Sequence, residues 1–349
     1  MQSLATARSW KIDLLKCIAI FDVVCSHTCI LGLSNPPGSF DWTASILWGS
    51  VGRTSVSLFL MCSGALLLSP KKELSVKKLY SKNMLRLLAA LLFWAMAYQL
   101  FRLGIDHALS PATLLQAAKD VLLFHHETHL YYLHIMLLVY AFLPLTRLVI
   151  QHATRRQIEY ALALWFVLGI LYPTLKPFWP LTLLRGIPVQ WGMNMAYASI
   201  GYGVLGYYLS TYPLPSRPVR LSCLFLGFLT TFGGTLAFSL RQGGLYEHLW
   251  EGMSLGVCLL AVGIYTGVTA WQKEPSARVR AVLAECSKGT FCVYLVHVFV
   301  ISLFAHLGFT VAILPCLVSI PLVIGANLIC SGGIYLVLSK IPVVNRWLI

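Results

Sequence analysis

Residues 10–32 read WKIDLLKCIAIFDVVCSHTCILG, an apolar run interrupted by Asp13, Lys16, Asp22 and His27. Its length predicts a helix that crosses a bilayer, since about 20 residues rising 1.5 Å each span the hydrocarbon core. Ten residues separate Lys16 from His27. On a helix the two therefore return to within about 20° of one face and lie about 16 Å apart. That face presents a cation near one membrane surface and an imidazole near mid-bilayer. An ionisable group at such depth is costly unless it faces protein or water, which makes it a functional candidate; the alternative is a polar packing contact between helices.

The rest of the chain has the same character. Hydrophobic residues make up 58% of it and charged residues 11%, with a mean hydropathy of +0.76, which excludes a soluble globule. Apolar windows separated by polar breaks predict ten spans, at about 10–32, 46–68, 84–104, 130–150, 157–173, 191–210, 220–240, 249–271, 288–307 and 310–338. The last is long enough to tilt or break. The expected fold is an all-α polytopic bundle forming one domain over residues 1–349, with any chemistry inside the bundle.

A net charge of +14 on a soluble protein would suggest a nucleic-acid partner. Here its distribution supplies another cause. Twenty of the 26 Lys and Arg fall on the side of the N-terminus, leaving Arg53, Arg102, Lys119, Lys176, Arg185 and Arg241 on the other. The positive-inside rule then predicts cytoplasmic termini, with no nucleic acid needed. The first apolar run is too long for a signal-peptide core and reads as an uncleaved span. None of the ten Cys forms a C-x-x-C pair, so they read as apolar filler. No fixed-period repeat is visible, which argues weakly against repeat-built transporters.

Among the loops, Ser110-Pro111 caps an expected short helix over Thr113–Phe124 that would lie on the outer surface as a lid. Residues 172–190 carry four prolines and suit an irregular rim. Lys71 to Lys82 (KKELSVKKLYSK) is the densest positive patch, attractive to anionic lipid or to a phosphorylated ligand.

Several constellations carry candidate chemistry. Asp13 and Lys16 are three apart and would pair on the helix surface; simple snorkelling of Lys16 to headgroups is the plainer alternative. Asp22 points about 140° away from His27 and needs a partner elsewhere. Arg53 stands just inside the end of the second span, ahead of Ser63-Gly64, a small pair of the kind that packs helices closely. In His125-His126-Glu127-Thr128-His129, metal binding competes with an interfacial aromatic and imidazole belt, and the belt explains most of the run. The ninth span, Lys288 to His297 (KGTFCVYLVH), buries a second imidazole, suited to acid–base chemistry or hydrogen bonding to a polar ligand.

Taken in order along the chain, these residues resemble the integral-membrane acyltransferase-3 family, and most closely its branch that O-acetylates N-acetylglucosamine in enterobacterial common antigen. Lys16-x10-His27 fits that family's Arg/Lys-x10-His motif. Arg53 ahead of Phe59–Gly64 (FLMCSG), Arg86 before Phe93-Trp94, His129-Leu130-Tyr131-Tyr132-Leu133 with Tyr140 and Pro144, Gly201–Leu209 (GYGVLGYYL) and Tyr294–His297 extend the likeness over nearly the whole chain. Three departures stand out: Lys82 and Arg86 replace an Arg-x-x-Arg pair, Tyr131-Tyr132 replaces Trp-Phe, and Ser57 stands where Pro is common.

The resemblance implies a bacterial inner-membrane enzyme that moves an acyl group, expected to be acetyl, from cytoplasmic acyl-CoA to a sugar hydroxyl of a lipid-linked or surface glycan. Lys16, Lys78, Lys82 and Arg86 would hold the CoA phosphates. His27 would act as general base and Arg53 as oxyanion donor. Asp13, Ser63, Tyr132 and His297 would support the site or the acceptor. Acetyl-CoA enters as a substrate, with no permanently bound cofactor and no metal; membrane lipids surround the protein, and homo-oligomerisation stays open. The competing expectations are a proton-coupled transporter or flippase of a polar lipid or carboxylate, in which His27 and His297 relay protons, and a non-catalytic scaffold for glycan assembly.

Overall fold

The first helix begins where the sequence turns apolar. In the computed structural model, which describes residues 8–70, 73–214 and 216–349, α1 (Trp10–Cys29) continues through a 3₁₀ turn to Ser34. Ser39 caps α2 (Phe40–Val51), accepting from the Trp42 amide. A 3₁₀ turn over Gly52–Thr54 then leads into α3 (Ser55–Leu67). This second span starts earlier than its apolar window at 46, because the cap carries the polar first turns containing Asp41, Thr43 and Ser45. It also breaks at Arg53.

The third span joins α4 (Val76–Lys78) through a π-helical turn to α5 (Leu85–Ile105). The capping box of Ser110 and Thr113 starts α6 (Pro111–Leu122), as the Ser-Pro signal predicts. α7 (Tyr131–His152) is followed by α8 (Arg155–Trp165), whose own capping box pairs Thr154 with Gln157. The proline-rich rim contains the single-turn α9 (Tyr172–Leu175) and two 3₁₀ turns. Asn194 caps α10 (Met195–Thr211); α11 (Arg217–Phe228) and α12 (Thr235–Gln242) share one span; α13 (Leu255–Thr269), α14 (Ala277–His306), α15 (Cys316–Leu338) and α16 (Pro342–Trp347) complete the chain.

Among the described residues every regular element is helical, and nine spans are long and apolar enough to cross a membrane. The one remaining expected span, at 191–210, is α10, whose 17 residues cover about 25 Å, at the short limit for crossing. α14 runs 30 residues and begins eleven positions before its apolar window, so its first turns, with Arg278, Arg280 and Glu285, project beyond the hydrocarbon. The last span breaks, as its length allows: a 3₁₀ turn over Val311–Ile313 precedes Pro315 and α15.

α1 is the pillar of the bundle and packs against α2, α3, α14 and α15. Its Ile20, Val23 and Val24 enter one apolar cluster with α5, α14 and α15, while Ile12, Leu15 and Ala19 enter a second with α3, α7, α10 and α13. The α11–α12 span is peripheral, only 17% buried, against 61% for the span that contains α13. α3 and α10 approach backbone to backbone: a side chain on Gly64 would overlap the Gly203 carbonyl, and one on Gly206 would overlap Met61. The small-residue signal at Ser63-Gly64 therefore marks a helix seam.

Candidate active site

The last turns of α1 carry His27 to the end of the bundle away from Trp10. There a cavity of about 230 Å³ lies between α1, the Gly52–Thr54 turn, α3, the start of α7 and the segment before α13. His27 and Arg53 both line it, on different elements. The His27 ring makes no hydrogen bond to the described residues, so its nitrogens are free for a ligand. Arg53 stacks on Trp250, its guanidinium carbon 4.2 Å from the ring centroid, and Trp250 is itself fixed by an Nε1–H that donates to Ser50 at 2.9 Å. No carboxylate pairs with Arg53 among the described residues, and its buried Nε has no partner. An unpaired guanidinium beside an unpaired imidazole is a site prepared for an anion or for a developing negative charge.

Two further imidazoles close around His27. The His297 ring lies 5.1 Å from it and the His129 ring 6.0 Å from it, with 5.4 Å between those two, measured at ring centroids. His297 is fully buried. Its Nδ1 lies 2.7 Å from the Tyr294 carbonyl and 3.2 Å from that of Val293. Carbonyls only accept, so Nδ1 carries the proton and Nε2 keeps a lone pair, which has no partner. The His129 Nε2 is likewise buried and unpartnered. Second-layer bonds hold the pair: the Tyr294 hydroxyl donates to the His129 carbonyl at 2.7 Å, and the Asn327 amide donates to the His297 carbonyl at 2.9 Å. Tyr98 packs edge-on to His129 and stacks on Phe299.

The expected site residues do not all converge. Tyr132 lines the cavity, its ring between Phe59 and Tyr294. Ser63 lies on the α3 face turned to Val139 and Gly203, at the helix seam and outside the cavity lining. Asp13 takes Arg8 as its partner, through two bonds of 2.7 and 2.9 Å, and not Lys16 as helix spacing suggested. The guanidinium fork reaches back from the chain before the helix and offers two parallel donors where Lys offers one. Lys16 is half-buried, with no ion pair among the described residues. Lys78 and Lys82 are exposed on the stretch that leads into α5. Arg86 lies over Phe291, and its Nη2 donates to the main-chain oxygen of Ile349. Lys71 and Lys72 of the same basic loop lie outside the described residues. The α6 helix packs on α5, and none of its residues lines the cavity.

The histidine-rich run divides. His126 stacks on His134 with their Nε2 atoms 3.1 Å apart, Glu127 pairs with Arg102 at 3.0 Å, and His129 turns inward. His129 is the residue that sequence reasoning missed. The interfacial-belt reading of the run covers it, although the His129–Leu133 segment carries part of the family resemblance.

The comparison with protein families is decisive for the class: the model of an acyltransferase domain matches residues 9–336. The chain belongs to the acyltransferase-3 family. No curated protein and no solved structure matches it. In this membrane acyltransferase the matched region contains every element around the cavity, from α1 to α14.

Proposed function

We propose that this acyltransferase transfers an acetyl group from acetyl-CoA to a sugar hydroxyl of a lipid-linked or surface glycan, of the kind found in enterobacterial common antigen, in a bacterial inner membrane with both termini cytoplasmic. The observation that supports the proposal is the joint exposure to one cavity of His27, whose ring makes no hydrogen bond to the described residues, and of Arg53, whose buried Nε has no partner. The CoA phosphates bind the cations at the end bearing the termini: Lys16, Lys78, Lys82 and Arg86. From Lys16 the climb to His27 is about 16 Å along α1, a span the extended pantetheine arm covers.

His27 accepts the proton of the acceptor hydroxyl as that oxygen attacks the thioester carbonyl. Negative charge then develops on the carbonyl oxygen, where the Arg53 guanidinium meets it. Collapse breaks the C–S bond, the thiolate recovers the proton from the His27 imidazolium, and the products are an O-acetyl ester and CoA thiol. The lone pair on His297 Nε2 and the ring of His129 supply a polar surround for the transient imidazolium. Tyr131, Tyr132 and Phe59 offer aromatic faces to a sugar ring, and Glu251 a carboxylate to its hydroxyls.

Purified protein in nanodiscs, given radiolabelled acetyl-CoA with and without a bacterial lipid-linked glycan extract, tests this directly. Label should move to glycan with wild type and not with His27→Ala. Absence of both acetyl-CoA binding and label transfer in the wild type would overturn it and favour proton-coupled transport.

A further inference from the structure

We propose that Asp22 is a positioning residue for the acyl transfer, setting where Arg53 stands relative to His27 by gripping Thr54. This rests on the reading of Arg53 as the oxyanion donor.

Asp22 lies within the first span and is 2% exposed. A carboxyl group at that depth is expensive and normally finds a cation, yet no ion pair to Asp22 exists among the described residues. Its partner is the Thr54 hydroxyl, which donates to Oδ2 at 2.5 Å. Arg53, one residue away along the chain, stacks on Trp250 instead. The residue on the other side of Arg53 is held to the same helix. Gly52 packs so closely on α1 that a Cβ there would stand 2.8 Å from the Asp22 carbonyl oxygen and 2.9 Å from the Ser26 amide nitrogen. Arg53 is thus bracketed: the backbone before it rests on α1 at Asp22 and Ser26, and the side chain after it is tied to Asp22. His27 follows Ser26 directly. The guanidinium and the imidazole are therefore registered against one helix, over one turn.

A polar group that served only packing could be exchanged for an apolar one of similar size. A positioning group leaves a different signature, because displacing an oxyanion donor by about 1 Å costs about 10²-fold in rate while leaving donor binding alone. Thr54→Val, which keeps shape and removes the hydroxyl, should lower kcat by about that factor with the KM for acetyl-CoA within twofold of wild type. Thr54→Ser should restore most of it. Asp22→Leu should behave like Thr54→Val, and Asp22→Asn, whose amide oxygen accepts the same bond, like Thr54→Ser.

In an Arg53→Ala background, Thr54→Val should cause no further loss, since it acts through the missing side chain. Equal losses with and without Arg53 would overturn the inference, as would Thr54→Val within twofold of wild type while Arg53→Ala is severely slowed. If Arg53→Ala itself leaves kcat unchanged, the assignment of Arg53 as oxyanion donor fails first, and the positioning role falls with it. Should Asp22→Leu not fold, the Thr54 pair carries the test alone, with monodisperse elution and acetyl-CoA binding as the control for fold.

Discussion

Two sets of polar groups, one around the cavity and one at the other end of the bundle, are held in opposite ways. Around the cavity, Arg53 is stacked, Trp250 is hydrogen-bonded, and His129 and His297 are held through their backbone carbonyls, while ring nitrogens and Nε of Arg53 are left without protein partners. At the other end Lys78 and Lys82 project exposed from the helix, with no ion pair among the described residues. Fixed supports with open functional atoms suit bond making, where an error of an ångström matters. Solvated cations on flexible stems suit the capture of a multiply charged phosphate, where charge matters more than angle. Under the proposed function, one fold would separate precision from attraction between the two ends of the bundle.

The strongest test of that contrast is His27→Ala, expected to cut transfer by about 10²–10⁴-fold, the usual worth of a general base. Acetyl-CoA binding, read by equilibrium titration, should persist; if binding vanished together with turnover, the two ends would not be separable. Arg53→Ala follows with an expected loss in kcat of about 10²–10³-fold. Arg53→Lys should not rescue it, since Lys lacks the planar fork that stacks on Trp250. At the opposite end, Lys78→Ala and Lys82→Ala should each raise the KM for acetyl-CoA by a few-fold at low salt and leave kcat alone. The difference from wild type should shrink as salt is added. A fall in kcat from either would erase the division of labour.

Gly64→Ala probes the scaffold that both ends share. Forcing a methyl into the α3–α10 seam should cost about 1–3 kcal/mol, seen as a lower unfolding temperature in detergent. The smallest effect is expected from Glu127→Gln. It breaks a pair whose Arg102 partner is 51% exposed, and stability should move by less than about 1 kcal/mol with turnover unchanged.

Much of this architecture was legible in the sequence because span length and polar breaks are local properties. The cap of α6 and the irregular rim follow from residues within a few positions of each other, and the break before α15 is one of the two outcomes that the length of its span allows. The cavity was legible only in part. The Lys16–His27 spacing and Arg53 singled out two of its walls, helped by the family likeness. His129 was not recognised, since its inward turn depends on α1, α7 and α14 meeting, which no periodicity records. The same holds for Asp22, whose partner Thr54 is 32 residues away, and for Asp13, where Arg8 outcompeted the Lys that helix spacing favoured. Ser63, which the resemblance set beside the site while the residues themselves suggested helix packing, lies at the α3–α10 seam and outside the cavity lining.

The glycine seam has a mechanical consequence. Main-chain atoms of Gly203 and Met61 occupy the space where side chains on Gly64 and Gly206 would stand, so α3 and α10 are in backbone contact, and a shift of one along the other would disturb that fit. Arg53 sits at the head of that pair, and Met195, in the first turn of α10, borders the same cavity. Under the proposed function, any widening for an acceptor would fall more readily on the facing wall, where α7 follows a short 3₁₀ turn over Thr128–Leu130, than on the side that carries the guanidinium.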